Sequence, residues 1–272
     1  MENNVYTPPK VLSIAGFDGS CGAGLQADLK VFSAHKCYGL NVLTSLPIQN
    51  TKGVQDIYEI PASVIAKQLS CMFEDITPSA IKIGMLFNAE IIAVVAGFLK
   101  EHADGIPIVL DPVMVAKSGH HLLLPEAITT MKELLIPQVK VITPNLPEAG
   151  ALLNCEINTK EEMENSAERL LQLGCQSVLL KGGHLDGEES NDFYRTAEQS
   201  DWLTGKRIAT ANTHGTGCTL SAAIAANIAL GYDNLTSCKN AKIYTQHALQ
   251  HADSLKMGQG KGSLHHFYGL WG

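Results

Sequence analysis

Positive charge is scarce in this chain: 20 lysines and arginines stand against 27 aspartates and glutamates, a formal net charge of -7 over 272 residues. Without a basic excess there is no broad attraction to a phosphate backbone or an anionic membrane, and no local basic patch replaces it. The densest candidate, Lys239 to Lys242, holds two lysines on an expected helix and reads as a solvated face. Long apolar runs are missing too; all fall well short of the roughly 20 residues that a membrane-crossing helix needs. Paired cysteines are absent: the seven, at 21, 37, 71, 155, 175, 218 and 238, include no C-x-x-C, which excludes a disulfide framework or a zinc knuckle and predicts mostly buried, reduced thiols. The ten histidines form no H-E-x-x-H or metal-spaced cluster, and His265-His266 reads as surface. Residues 1–10 carry no positive n-region or apolar h-region and are expected to be a loose arm on a cytoplasmic protein.

What is present is an alternation. Short runs rich in β-branched residues, Val11–Ala15, Asn41–Leu46, Ala80–Ile83, Ile106–Leu110, Val139–Ile142 and Ser177–Leu180, are separated by stretches of helical period. The pattern predicts a single α/β domain over 11–272, with a largely parallel central sheet and helices on both faces. Helix starts are expected at Asn88 and Thr159, each a capping residue, and after Pro61. Short antiparallel strands are expected near 191–194 and 202–204, then two helices, 215–230 and 234–254.

Ligands of such sheets bind beyond the carboxyl ends of the strands, which directs attention to five places. Gly16 to Gly24 holds four glycines between a strand and a helix that carries Asp28, and can bring backbone N–H groups close to a ligand; Gly22 to Ala27 also fits G-x-G-x-x-A, but no acidic residue closes the next strand. Gln49-Asn50 ends an apolar run and suits either the edge of a heteroaromatic ring or an ordinary turn. Asp111-Pro112-Val113 could hold Mg²⁺ through water, with Lys117-Ser118-Gly119 as a flap, or form a structural turn. Asn145 and Glu148 fall three residues apart after another strand, either as oxygen ligands or as helix-start chemistry. The fifth place, His214-Gly215-Thr216-Gly217-Cys218, opens an alanine-rich helix whose orphan N–H groups would face a cleft and stabilise charge developing on a phosphoryl group. Cys218, at that positive helix end, is expected to have a lowered thiol pKa and to act as base or nucleophile.

Taken in order, Ile14-Ala15-Gly16, Gly22 to Lys30, Gln49-Asn50-Thr51, Asp111 to Gly119, Thr143 to Ala149, Lys181-Gly182-Gly183-His184 and His214 to Thr219 resemble the hydroxymethylpyrimidine/phosphomethylpyrimidine kinases of thiamine biosynthesis, in the ribokinase superfamily. The resemblance implies ATP-dependent phosphorylation of 4-amino-5-hydroxymethyl-2-methylpyrimidine and then of its monophosphate, with ATP and Mg²⁺ as cofactors and a homodimeric assembly. It also implies roles. Gly16, Ala23, Asp28, Gln49, Met85 and Val113 would line the pyrimidine pocket. Asp111 and Glu148, with Asn145, would organise Mg²⁺ and its waters, while Lys181, Asn145 and Thr216 would meet ATP. Gly215, Thr216, Gly217 and Cys218 would form the anion hole, with Cys218 as the base. The chain departs from the family's usual loop at Phe17 and Cys21, and its tail from Gly258 to His266 follows the family ending only loosely. A pyridoxal kinase of the same fold is the nearest alternative; an NAD-dependent oxidoreductase and a catalytically silent pyrimidine sensor are more distant ones.

Overall fold

The computed structural model describes residues 6–114, 122–124 and 126–271. The expected flap at 117–119 lies outside the described residues, as does the first half of the expected arm; Lys10 already belongs to the first strand.

That strand, β1 (Lys10–Ala15), leads into α1 (Gly24–Ala34) and β2 (Tyr38–Leu43). The expected strand 41–46 divides at Thr44: after it β3 (Ser45–Asn50) leaves the main sheet and pairs antiparallel with β4 (Gly53–Glu59) as a separate hairpin. Then follow α2 (Ala62–Asp75), β5 (Ala80–Ile83), α3 (Ala89–His102), β6 (Ile108–Leu110) and α4 (Ala127–Thr130), the last continuing as irregular helical turns to Gln138. Those turns leave only Val141–Ile142 of the expected 139–142 strand as β7. The remainder is α5 (Leu146–Leu153), α6 (Lys160–Leu171), β8 (Ser177–Lys181), β9 (Asp192–Arg195), β10 (Ser200–Leu203), α7 (Thr216–Ala229) and α8 (Asn234–Gln250). Asn88 and Thr159 cap α3 and α6 as their residue types predict, Thr159 in a reciprocal capping box with Glu162.

The eight-stranded sheet runs β10-β9-β8-β7-β6-β5-β1-β2, with every strand in the same direction except β9, which pairs antiparallel with both β8 and β10. Its strands are apolar on both faces because both are covered. Leu12, Ile14, Ile81, Ile83, Leu110 and Ile142 feed a core with α2, α3, α5 and α6. The alternate residues, Val11, Ala80, Val109, Val141 and Leu179, pack against α1, α7 and α8. Chain order reverses between β1 and β5, so the crevice beyond their carboxyl ends is where a ligand of this fold belongs. Two neighbouring residues break the apolar rule at the centre: Lys82 in β5 and Ser13 beside it in β1 are both fully buried.

Candidate active site

The loop after β1 is built around an aspartate. Asp18 is fully buried, and its carboxylate accepts the N–H groups of Ser20 (2.9 Å), Gly22 (3.1 Å) and Ala23 (2.8 Å), the Ser20 hydroxyl (2.7 Å) and the ring of His214 (2.7 Å). Burial alone would raise this carboxyl, but His214, Ser20 and the loop amides hold it down at about 2. The His214 contact ties the β1 loop to the turn that opens α7 across 196 residues. Two glycines make the approach possible. Gly24 and Gly215 have φ of +57° and +80°, and a Cβ at Gly215 would lie 1.7 Å from the Gly22 carbonyl oxygen.

Gly215 caps α7 with no side-chain hydrogen bond and the Thr216 N–H turns back to the Thr213 carbonyl at 3.4 Å, which leaves the Gly217 and Cys218 N–H groups for a ligand. Against them lies a charged cluster at the ends of β6, β7 and β8. Lys181 Nζ is 2.8 Å from Asp111 Oδ1 and 3.8 Å from Glu148 Oε2, and a Cβ at Gly217 would sit 3.1 Å from Asp111 Oδ2. Asn145 and Glu148 form the capping box of α5: Asn145 Oδ1 accepts the Glu148 N–H at 2.9 Å and Glu148 Oε2 accepts the Asn145 N–H at 2.8 Å. The helix-start reading of the pair therefore holds, and the same helix start lines the cavity. Burial lifts the Glu148 carboxyl to about 7 despite the pull of Lys181, with Asp111 adding to the rise. Lys181 is pushed up to about 12, because Asp111 and Glu148 outweigh the burial that opposes its charge.

These groups line one cavity of about 380 Å³. Of the expected substrate residues, Gly16, Ala23, Gln49, Met85 and Val113 line it, joined by Phe17 and Pro47. Gln49 is held by its Nε2 donating to the Phe17 carbonyl at 3.5 Å. Asp111, Asn145, Glu148, Lys181, Gly215, Thr216, Gly217 and Cys218 line the same space. A far arm is walled by Ile208, Leu220, Gln246 and Leu249, with Lys206 and Arg207 at its edge.

Four expectations are corrected. Asp28 does not line the cavity: it lies fully buried behind the wall, paired with Lys82 at 2.8 Å and accepting the Ser13 hydroxyl at 2.5 Å. The Cys218 thiol is raised rather than lowered, to about 11, because burial outweighs Lys82, and Asp28 and Asp111 add negative charge nearby. His265 and His266 are buried; His266 Nε2 is 3.0 Å from Thr219 Oγ1, and burial takes its ring down to about 3, so it stays neutral under α7. Lys242 is no solvated residue, since it pairs with buried Asp192 at 2.7 Å and lines the cavity.

The tail also has a place. His214 N–H donates to the Gly262 carbonyl at 3.0 Å, and Lys261 N–H to the Thr51 carbonyl at 2.9 Å, so residues 258–263 brace both the α7 turn and the hairpin. Sequence reasoning passed over Asp18, His214 and Lys82 as functional residues. For Lys82 the signal was legible as a lysine inside the apolar strand Ala80-Ile81-Lys82-Ile83.

Among the described residues no group of three or more histidine, cysteine or acidic side chains is gathered to hold a metal ion. The two carboxylates Asp111 and Glu148 are nevertheless hard oxygen donors in excess over one ammonium. That donor set fits a magnesium ion that keeps most of its waters and takes its other ligands from phosphates.

The family model described as phosphomethylpyrimidine kinase matches residues 18–265. The hydroxymethylpyrimidine/phosphomethylpyrimidine kinase of Escherichia coli K12 is 48% identical over 261 residues, 96% of this chain and 98% of that protein. A crystal structure of phosphomethylpyrimidine kinase from Clostridium difficile superposes with a TM-score of 0.79 at 42% identity, covering 89% of this chain and 99% of that one. The pyridoxal kinase of Staphylococcus aureus, solved with AMP-PCP and pyridoxal, superposes with a TM-score of 0.88 at 34% identity over 98% of this chain and 96% of that one.

Proposed function

This chain belongs to the phosphomethylpyrimidine kinase family, a phosphotransferase family, and from that membership we propose that it moves the γ-phosphoryl group of ATP onto 4-amino-5-hydroxymethyl-2-methylpyrimidine and then onto its monophosphate. The observation that carries the chemistry is the convergence, in one cavity, of the uncapped start of α7, the Asp111–Lys181–Glu148 cluster and the Gln49 amide.

The Gln49 amide both donates and accepts, matching the ring nitrogen and exocyclic amine of an aminopyrimidine; Met85 and Val113 offer apolar faces to the ring. In the transfer, the substrate hydroxyl oxygen forms a bond to the γ-phosphorus while the bond from phosphorus to the β-phosphate oxygen breaks, leaving ADP. Cys218 first loses its own proton to solvent, and its thiolate then takes the hydroxyl proton as the new bond forms. The N–H groups of Gly217 and Cys218 and the Lys181 ammonium take up the charge carried by the moving phosphoryl oxygens. Asp111 and Glu148, supported by Asn145, would hold Mg²⁺, which would supply positive charge to neutralise the phosphates. The far arm between Ile208 and Leu249 accommodates the nucleotide's base.

A second reading has its own support in the pyridoxal kinases that share the fold, because pyridoxal also presents a hydroxymethyl group on a flat nitrogen heterocycle. Purified protein supplied with ATP, Mg²⁺ and each alcohol separates the two. We expect the pyrimidine to turn over faster, and faster turnover of pyridoxal would replace the first reading with the second. We also propose a cytoplasmic homodimer; no described helix is long and apolar enough to cross a membrane, and the hairpin exposes Ile48 and Tyr58 for a second copy to cover. Light scattering should then give twice the 29.2 kDa chain mass.

A further inference from the structure

The proposed transfer leaves one buried charge without a task. Lys82 sits at the middle of the sheet with no exposure, held by Asp28 through contacts of 3.0 and 2.8 Å to its two oxygens. Ser13, paired with Lys82 across β1 and β5, donates to the same carboxylate. Strand alternation puts both side chains on the sheet face that packs against α1 and α7, since their neighbours Val11, Ala80 and Val109 feed that core. α7 packs across β1, β5 and β6, the strands that carry Ser13 and Lys82 and the one whose end Asp111 follows. Lys82 also reaches the cavity wall that Cys218 shares.

A fixed ammonium here has a consequence for the thiol. The charged groups that act on Cys218 are Asp28, Asp111, Lys181 and Lys82. The two carboxylates and burial disfavour a thiolate, and Lys82 is the foremost group opposing them. Burying an ammonium is costly, and stability alone does not explain this one, because apolar replacements of such pairs are often neutral or stabilising.

We propose that Lys82 is a positioning residue for the phosphoryl transfer: anchored by Asp28 beneath α7, its ammonium stabilises the anionic form of Cys218 Sγ that receives the substrate's proton. Asp28, which the cavity does not reach, acts at one remove by holding Lys82 in place and charged. The inference rests on Cys218 as the proton acceptor, and its test is independent of turnover.

The test is the rate at which iodoacetamide alkylates Cys218 at fixed pH, followed by mass spectrometry of the peptide that carries it, so that the other six cysteines do not interfere. Below the thiol pKa the rate follows the thiolate fraction, partly offset by the greater nucleophilicity of a more basic sulfur. Lys82→Met should therefore slow alkylation of the folded enzyme by roughly three- to fourfold for each unit the thiol rises, while the unfolded chain reacts at an unchanged rate. If Lys82→Met does not fold, Lys82→Gln, which keeps an N–H donor for Asp28 but loses the ammonium charge, should slow alkylation in the same direction. Unchanged alkylation in whichever variant folds overturns the proposal. So does a loss confined to KM for the pyrimidine with alkylation intact, which would place Lys82 in substrate contact instead. Wild-type turnover by Cys218→Ala would sink the proton-acceptor role while leaving the alkylation result to stand by itself.

Discussion

Two buried lysines, about 100 residues apart in sequence, meet carboxylates in opposite ways. Lys82 faces one carboxylate, straddled at 3.0 and 2.8 Å, and neither partner is exposed; the pair is closed and electrically balanced. Lys181 faces two, Asp111 at 2.8 Å and Glu148 at 3.8 Å, at a cavity wall; this cluster carries surplus negative charge and opens onto the ligand space. A balanced, closed pair is a device of the fold and its electrostatics. An unbalanced, open one is completed by what binds, and its surplus is of the sign that Mg²⁺ neutralises.

The comparison breaks most visibly in activity. Lys181→Ala removes a cation that the ligand's phosphates need, but leaves two carboxylates at the wall of an open cavity. We expect a folded protein whose kcat falls by about 10²- to 10³-fold, in the range found for losing one stabilising donor at a developing anion. A thermal melt beside a steady-state assay checks both halves, and a variant that unfolds but, when folded, turns over normally would erase the distinction between the clusters. The next largest effect is on folding. Lys82→Met strands the Asp28 carboxylate in an apolar core, which should cost about 3 kcal/mol or more. Adding Asp28→Asn should recover most of it, as read from urea midpoints. Failure of the second change to rescue the first would mean that the lysine stem, not its charge, holds that region.

Much of this contrast was invisible in the sequence. The fold was legible because each signal was local: apolar runs of strand length, caps at Asn88 and Thr159, and glycines where loops must turn. The site was legible as positions, because strand ends announce themselves and Asp111, Asn145, Glu148, Lys181 and the Gly215–Cys218 turn follow strands or open helices. What was hidden is pairing across long separations. Asp28 seemed a ligand residue because nothing nearby in sequence told of Lys82, 54 positions away. The Cys218 thiol was expected to be lowered by its helix end, an argument about backbone dipoles that omitted how deeply α7 is buried and how close Asp28 and Asp111 lie. His266 looked exposed for the same reason, since its partner Thr219 is 47 residues upstream.

Acidity sharpens the difference further. Glu148 has its folded pKa raised from 4.5 to about 7, so the folded state holds a proton that the unfolded state has released. Its contribution to stability is complete below the unfolded value and fades as pH rises through about 7, a loss approaching about 3 kcal/mol. Glu148→Gln should flatten that decline between pH 4.5 and 7 in denaturant titrations. Mg²⁺ with nucleotide should reduce the decline in the wild type, by favouring the ionised carboxylate. A wild-type stability that rises across this window would show that Lys181 already neutralises the cluster.

Asp18 gives the smallest effect and the opposite sign. It is as buried as the other carboxylates but fully served by hydrogen-bond donors, so its folded pKa falls from 3.8 to about 2. Its contribution is present above the unfolded value and is lost as pH drops through about 2, amounting to about 2 kcal/mol. Asp18→Asn should remove that acid-side loss, visible as a flatter stability curve below pH 3.8, while also weakening the tie to His214. Because that tie fixes the β1 loop against the turn that opens α7, the variant should raise KM more than it lowers kcat. The loop would still close over ligand, but from a looser start. An unaltered KM would mean that the Gly262 contact to His214 suffices to hold the turn, and that the tail, rather than Asp18, keeps the anion hole in register.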